Sequence, residues 1–558
     1  MGVDPITFEV VRNALVAVAE QMSATIWRTS YSTVIREMLD YSTALFDPEG
    51  HIVAQACRIP VHLNSMSRAL RTTLAEAFPP ATWRPGDIVV MNDPYAGGQH
   101  LPDIQTFLPV FADGQMVALC GTLGHHLDVG GMRPGSYAGD ATEIYQEGLR
   151  IPAIRLYEEG RPNERLLKLI ASNIRQPEKT MGDLRAQIAA LEIGRDGIME
   201  LVGRYGRETF RACVDETIAS SERRMRARLR EIPAGTYTGE FFVDDDGVVD
   251  EAIRVAARVT VGGGEVTVDL TGTAPQRRGP INATLSSTES AVYFVILAVV
   301  DPTIPANYGC YKPIRIIAPE GTVVNALPPA PVVGRNAITH TITNALLAAL
   351  AQPLPDRVTA AYYGMSNVHI LAGSGGGRRG WIFFDIEVGG WGARPTKDGL
   401  DCYSQGIHNL ANTPMEMVET TYPLRFKHYE FLSDTGGAGK YRGGLGVRRD
   451  IEFLDEAGTL NTQFDKFKVA PFGLFGGHPG ATGHMFLNPD GPSSESLPSK
   501  TVNRPLKRGD VFSMWTQGGG GYGDPRQRDP AAIRRDLREG KVTPDAVRRD
   551  YGIDPNTL

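Results

Sequence analysis

The chain has 558 residues, of which 42% are hydrophobic and 22% charged, with a formal net charge of −7. That length predicts about three or four domains around a large buried core, and the acidic balance excludes a sequence-independent nucleic-acid binder, which needs a basic surface. Five scattered cysteines without a CxxC pair suit reduced thiols in a cytoplasmic protein, the start shows no signal-peptide pattern, and the longest apolar stretch, around Ala291 to Val300, is too short to span a bilayer.

Asp4-Pro5 reads as an N-cap followed by proline at the first helical position. Ile6, Val10, Leu15, Val18, Met22 and Ile26 then recur at helical spacing, so a helix is expected over about 5–29. Residues 37–57 switch to short strands, STALFD and HIVAQAC about a Pro48-Glu49-Gly50 turn, which predicts a hairpin. A helix is expected from about Ser65 to Phe78, then a buried strand, GDIVVMNDPYAGG, entering a glycine-rich loop. FLPVFADGQMVALCGTLGHH reads as strand, Asp113-Gly114 turn and strand, ending at a histidine pair. A long helical stretch follows over 180–231, with Gly194 and Gly197 as its expected weak points and its arginines on a solvated face. The pattern turns to β from Gly235, with helices expected near 284–300 and 336–351. Residues 425–515 read as short strands and turns, and Asp529-Pro530 and Thr543-Pro544 open two terminal helices. The predicted fold class is α+β, or mixed α/β, in several domains. Residues 1–232 form an N-terminal α/β region with the candidate metal site and long helices, 233–420 a central mixed α/β region, and 421–558 a β-rich region with terminal helices.

Several familiar patterns fail on inspection. No GxxxxGK[ST], HExxH or GxSxG occurs. Gly518, Gly520 and Gly523 fit GxGxxG by count, but Asp524-Pro525 follows, so loop architecture is the expected role. Asp244-Asp245-Asp246-Gly247 lacks the twelfth-position glutamate of a calcium loop and reads as an acidic turn.

The segment that carries chemistry is NDPYAGGQHLPDI, residues 92–104, with GTLGHHLDVGG, residues 121–131. His100 and Asp103 are three apart and can face one point from a tight loop, while His125 and His126 end a strand expected beside it. Two imidazoles and a carboxylate at loop tips suit zinc, manganese or iron(II) and leave coordination positions open. Taken singly, the same residues read as hydrogen-bonded core histidines and a structural carboxylate. Asp40 and Asp128 are further acidic candidates, either as ligands or as groups orienting an imidazole.

REMLDYSTALFD (36–47), NDPYAGGQHLPD, GHHLDVGG, NIRQPEKTMGDLRAQIAA (173–190), GGWGARPTKDGLD (389–401), SDTGGAGKYRGGLGVRRD (433–450) and GGGGYGDPRQRD (518–529) together resemble the hydantoinase B/oxoprolinase family, nearly end to end. The resemblance implies a β subunit of an ATP-dependent hydrolase of hydantoins, 5-oxoproline or lactams, in the cytoplasm. It implies a separate partner, an actin-like ATPase subunit of the hydantoinase A type, that binds ATP and phosphorylates the substrate, in an (αβ)2 heterotetramer. By motif it implies a divalent metal, zinc or manganese or else iron, on His100, Asp103 and His125, with Asp40 as a further ligand or a base and Asp40 or His126 as the proton acceptor. Residues 333–340, VGRNAITH, depart from the family's pattern, and substrate preference is expected to differ there, with His340 a candidate contact. The same two-subunit logic serves ketone carboxylases of the acetone type, and a non-catalytic scaffold with a structural metal is a third reading, although none of the five cysteines joins the motif.

Overall fold

The structure, a computed structural model, describes residues 3–62, 64–374 and 380–558. Helix α1 (Pro5–Thr29) starts where expected, with the Asp4 carboxylate accepting the Thr7 N–H at 2.8 Å. The hairpin follows as β1 (Tyr41–Phe46) and β2 (Ile52–Gln55). With β3 (Ile88–Met91), β4 (Asp103–Ala112), β5 (Gln115–His125), β6 (Ile154–Glu158) and β7 (Arg161–Pro162) it forms a seven-stranded antiparallel sheet ordered β2-β1-β5-β4-β3-β6-β7.

The long helical stretch is two helices, Pro177–Tyr205 and Arg207–Leu229, broken at Gly206 (φ 78°). The expected weak points remain helical. Gly194 and Gly197 lie inside the first helix, where an added Cβ would come within 2.6 Å of Met22 and 2.7 Å of Val18. These glycines let the helix approach α1 closely, and that packing outweighs their low helix propensity.

Beyond residue 232 a four-stranded sheet (Ile314–Ile317, Glu265–Asp269, Ile253–Gly262, Gly235–Val243) carries the helices Leu285–Val300 and Asn336–Leu350. One continuous buried apolar cluster runs from Ala44 to Ile407, so the core does not divide at the expected 232/233 boundary. A third sheet pairs Trp381–Glu387 and Asn367–Gly373 with Ala457–Gln463 and Arg504–Lys507, so a division at 420/421 would cut hydrogen-bonded strands. The last sheet is ordered Leu424–Phe431, Val447–Phe453, Val511–Trp515, His484–Leu487, Glu495–Leu497.

The glycine-dense segments pack backbone on backbone. The Gly519 N–H donates to Gly444 O at 2.9 Å, Gly444 N–H to Trp391 O at 2.8 Å and Gly520 N–H to Ala361 O at 2.8 Å. Side chains would prevent that approach: a Cβ on Gly519 would lie 1.8 Å from Trp391 O. The GxGxxG count at 518–523 is therefore packing architecture. No described helix is long and apolar enough to cross a membrane.

Candidate metal centre

Asp103 opens β4 and His125 closes β5, and the two are Cα partners in the antiparallel ladder. His100 precedes β4 in a loop knotted by Asn92, whose amide donates to Leu101 O at 2.7 Å and Leu149 O at 2.9 Å. Gly97 (φ 109°) lets this loop pass against Ala69, whose backbone N would lie 2.6 Å from an added Cβ. The Asp103 N–H donates to His100 O at 3.0 Å, and the His125 N–H donates to Asp40 O at 3.0 Å, which ties in the segment that carries Asp40.

His100, Asp103 and His125 each offer a ligand atom, all within 4.8 Å of one another, and all three side chains are buried. His100 Nε2, Asp103 Oδ1 and His125 Nδ1 each lack a hydrogen-bond partner. His100 Nε2 and Asp103 Oδ1 lie 3.1 Å apart without hydrogen-bond alignment. Three buried side chains that bring ligand atoms within 4.8 Å of one another, each also bearing an unpartnered polar atom, fit a divalent cation. The second contact of two of these groups is already made: His100 Nδ1 lies 3.1 Å from Val333 O, and Asp103 Oδ2 accepts from Arg335 Nη2 at 2.8 Å. Such outer contacts fix ligand orientation.

The three line or adjoin a cavity of about 20 Å³, walled also by Asp40, His62, Tyr137, Arg335, Phe384 and His408. Burial lowers the pKa of His100 and, more strongly, that of His125, so both imidazoles are neutral, as ligation requires. Burial alone would raise Asp103, but His100 and Arg335 together hold it well below the usual carboxylate range. Asp40 is pushed up to about 8, by burial first and then by the Asp103 charge, with Arg335 opposing. Its Oδ1 lies 3.7 Å from His62 Nε2, outside the three-residue cluster.

Two expected residues face elsewhere. His126 follows the end of β5 and places Nε2 2.9 Å from Gln187 Oε1 on the 177–205 helix. Its Nδ1 is buried without a hydrogen-bond partner, and His126 is not among the residues that line the cavity. Asp128 accepts the N–H groups of Gly130, Gly135 and Arg175, each at 3.0 Å, and so organises its own loop and not the cavity. His340 is buried behind the cavity. Its Nε2 lies 3.1 Å from Ser366 Oγ, which in turn lies 2.7 Å from Nε2 of the cavity-lining His408. The departing VGRNAITH stretch does reach the site, through Arg335 and Asn336.

Sequence reasoning missed His62, Tyr137, Arg335 and His408. His62 and Tyr137 sit in segments without a chemical pattern, and Arg335 and His408 reach the cavity from more than 200 residues beyond His100. Only the odd VGRN stretch signalled one of them.

The profile of the hydantoinase B/oxoprolinase family matches residues 4–525. A relative from Pseudomonas sp. strain NS671, named for its place in a D-/L-hydantoinase, is 35% identical over 574 residues, covering 99% of this chain and 95% of its own. The β subunit of the caprolactamase of Pseudomonas jessenii is 33% identical, covering 99% of this chain and 96% of its own. The crystal structure of the ATP-dependent caprolactamase from that organism superposes with a TM-score of 0.93 at 32% identity, over 99% of this chain and 97% of that one. The nucleotide-free acetone carboxylase shares the fold, with a TM-score of 0.91 at 21% identity, over 98% of this chain and 79% of that one. The chain belongs to the hydantoinase B/oxoprolinase family.

Proposed function

We propose that this chain is the metal-dependent, ring-opening β subunit of an ATP-dependent cyclic-amide hydrolase, acting on a substrate phosphorylated by a separate actin-like ATPase subunit in an (αβ)2 assembly. The clustering of three buried ligand-bearing side chains, each with an unpartnered polar atom, at the cavity carries this reading, and end-to-end similarity to a hydantoinase component and a caprolactamase component supports it.

Amide resonance makes a lactam or hydantoin carbonyl carbon a poor target for water. Phosphorylation of its oxygen leaves that carbon doubly bonded to the ring nitrogen and more electrophilic. His100, Asp103 and His125 would hold zinc or manganese, which when bound supplies Lewis acidity toward the reacting group. Asp40 takes the proton of the incoming water. A carboxylate whose pKa burial has raised to about 8 accepts and returns a proton near neutral pH. Arg335 balances the Asp103 charge in a site closed to solvent. Phe384, Ile386 and Leu410 give the cavity hydrocarbon walls that exclude bulk water.

The cavity has room for about one water-sized group, so a ring enters only when its walls part. Ile59 lines both this cavity and a larger, mostly apolar groove of about 510 Å³, which offers the approach.

The test is ATP-dependent ring opening of 5-oxoproline, caprolactam and hydantoins by the chain purified with its ATPase subunit. Undiminished turnover in His100→Ala would remove the metal from the mechanism. Labelled bicarbonate appearing in an acid product would assign the chain to carboxylation, and full activity of the ATPase subunit alone would make it a scaffold.

A further inference from the structure

Tyr137 follows a 3-10 turn, Pro134–Ser136, in which Gly135 (φ 73°) and Ser136 (φ 57°) both take left-handed backbone. The turn is held in place. Asp128 accepts the Gly135 N–H at 3.0 Å, and Ser136 Oγ accepts the Val129 N–H at 2.7 Å and donates to Gly130 O at 2.8 Å. This delivers the Tyr137 ring into the cavity wall, 6.1 Å from the His100 ring and 5.8 Å from that of Phe384. The residue is 2% exposed, and its phenol oxygen is buried without a hydrogen-bond partner. A buried tyrosine hydroxyl ordinarily finds one. The ring contacts would be served equally by phenylalanine, so the orphaned hydroxyl is what packing leaves unexplained. Burial raises its pKa, with Arg335 opposing only in part, so the phenol stays a donor at neutral pH.

We propose that Tyr137 is a further catalytic residue, whose phenol donates a hydrogen bond to the ring nitrogen of the activated cyclic amide as that nitrogen gathers electrons. This rests on the cyclic-amide hydrolase reading. Water oxygen bonds to the activated carbon, one O–H bond of that water breaks, and its proton passes to Asp40. The π pair of the carbon–nitrogen double bond moves onto nitrogen, where the Tyr137 O–H meets it. Asp40 then returns its proton to that nitrogen, and the phenol keeps its own. As the carbon–nitrogen bond breaks, the new hydroxyl on carbon gives up its proton, which Asp40 passes to the departing nitrogen, and the O–H pair re-forms the carbonyl. The nitrogen thus leaves as a neutral amine ahead of phosphate, and a second water then hydrolyses the acyl phosphate left behind, whereas loss of phosphate first restores the intact ring and wastes the ATP. A fixed donor aimed at developing charge in a closed site contributes about 10²–10³-fold in rate.

The experiment is Tyr137→Phe in the full complex, read by product formation, by ATP hydrolysed per ring opened, by bound metal and by thermal melting. The expected result is product formation down about 10²-fold, a raised ATP-to-product ratio, wild-type metal content and a melting temperature equal to or above wild type. A variant that melts lower and loses ATP hydrolysis and ring opening in parallel would make the hydroxyl structural and overturn the proposal. So would wild-type turnover and stoichiometry. A wild-type complex that opens no cyclic amide is the separate failure of the hydrolase reading, and it is seen before any variant is made.

Discussion

The Arg335 guanidinium lies 2.8 Å from the Asp103 carboxylate, both fully inside the protein, and joins the start of the 336–350 helix to the start of β4. Removing one member of such a pair leaves the other charge uncompensated, at a cost of about 3–5 kcal/mol. Arg335→Met, stripped of metal, is expected to unfold at clearly lower denaturant than wild type. Zinc or manganese should recover more stability in the variant than in wild type, because a cation supplies the missing positive charge. Equal unfolding midpoints with and without metal in both proteins would count against the pairing.

Single replacements His100→Ala, Asp103→Asn and His125→Ala should each abolish stoichiometric binding of a divalent cation, measured by elemental analysis of the purified complex, and reduce ring opening to background. His126→Gln should keep the cation and most of the activity, since His126 faces Gln187 and not the cavity. Loss of metal in the His126 variant alone would reverse this assignment.

Glu147 Oε1 accepts the N–H groups of Val332 and Val333, each at 2.8 Å. Burial raises its pKa to about 8, against those hydrogen bonds. The folded protein therefore keeps Glu147 protonated at pH values where the unfolded chain, with a value near 4.5, has ionised. Its stabilising contribution is fully present below about pH 4.5 and is lost as pH rises toward 8. Glu147→Gln retains an acceptor oxygen without the titration. The stability difference between variant and wild type, from urea denaturation at several pH values, should grow in the variant's favour across that window, and a flat difference would refute the linkage.

Gly519→Ala places a Cβ 1.8 Å from Trp391 O, a backbone atom that no side-chain rotation relieves. The expected cost exceeds about 3 kcal/mol, beyond ordinary overpacking, and appears as loss of soluble chain or a steep fall in melting temperature. Gly262→Ala, where an added Cβ meets nothing within 4 Å, is the control and should fold normally.

Much of the local fold was legible in the sequence because local chemistry decides it. The Asp4-Pro5 cap, the hairpin turns and the terminal Asp-Pro and Thr-Pro starts all act within a few residues of themselves. The break of the long helical stretch was placed wrongly, because Gly194 and Gly197 answer to α1 packed against them, and propensity alone cannot see a neighbour. Loop and strand spacing pointed to His100, Asp103 and the His125-His126 pair, and the family resemblance implied His100, Asp103 and His125 as the set, which the structure brings within 4.8 Å. Tyr137 and His408 were beyond reach, because only tertiary folding brings them to the site, and Arg335 was signalled only by the odd VGRN stretch that holds it.

The cavity walls are drawn from Asp40 to Leu410, from both sides of the 232/233 division and from more than one sheet. During synthesis, a nascent chain that has emerged only through β5 would carry all three candidate ligands while lacking the guanidinium that steadies Asp103 and the loop that seals the pocket. Such a partial chain would offer the three candidate ligand side chains without the charge partner and the walls that residues up to Leu410 supply, so a truncated or stalled product would leave its imidazoles open to solvent.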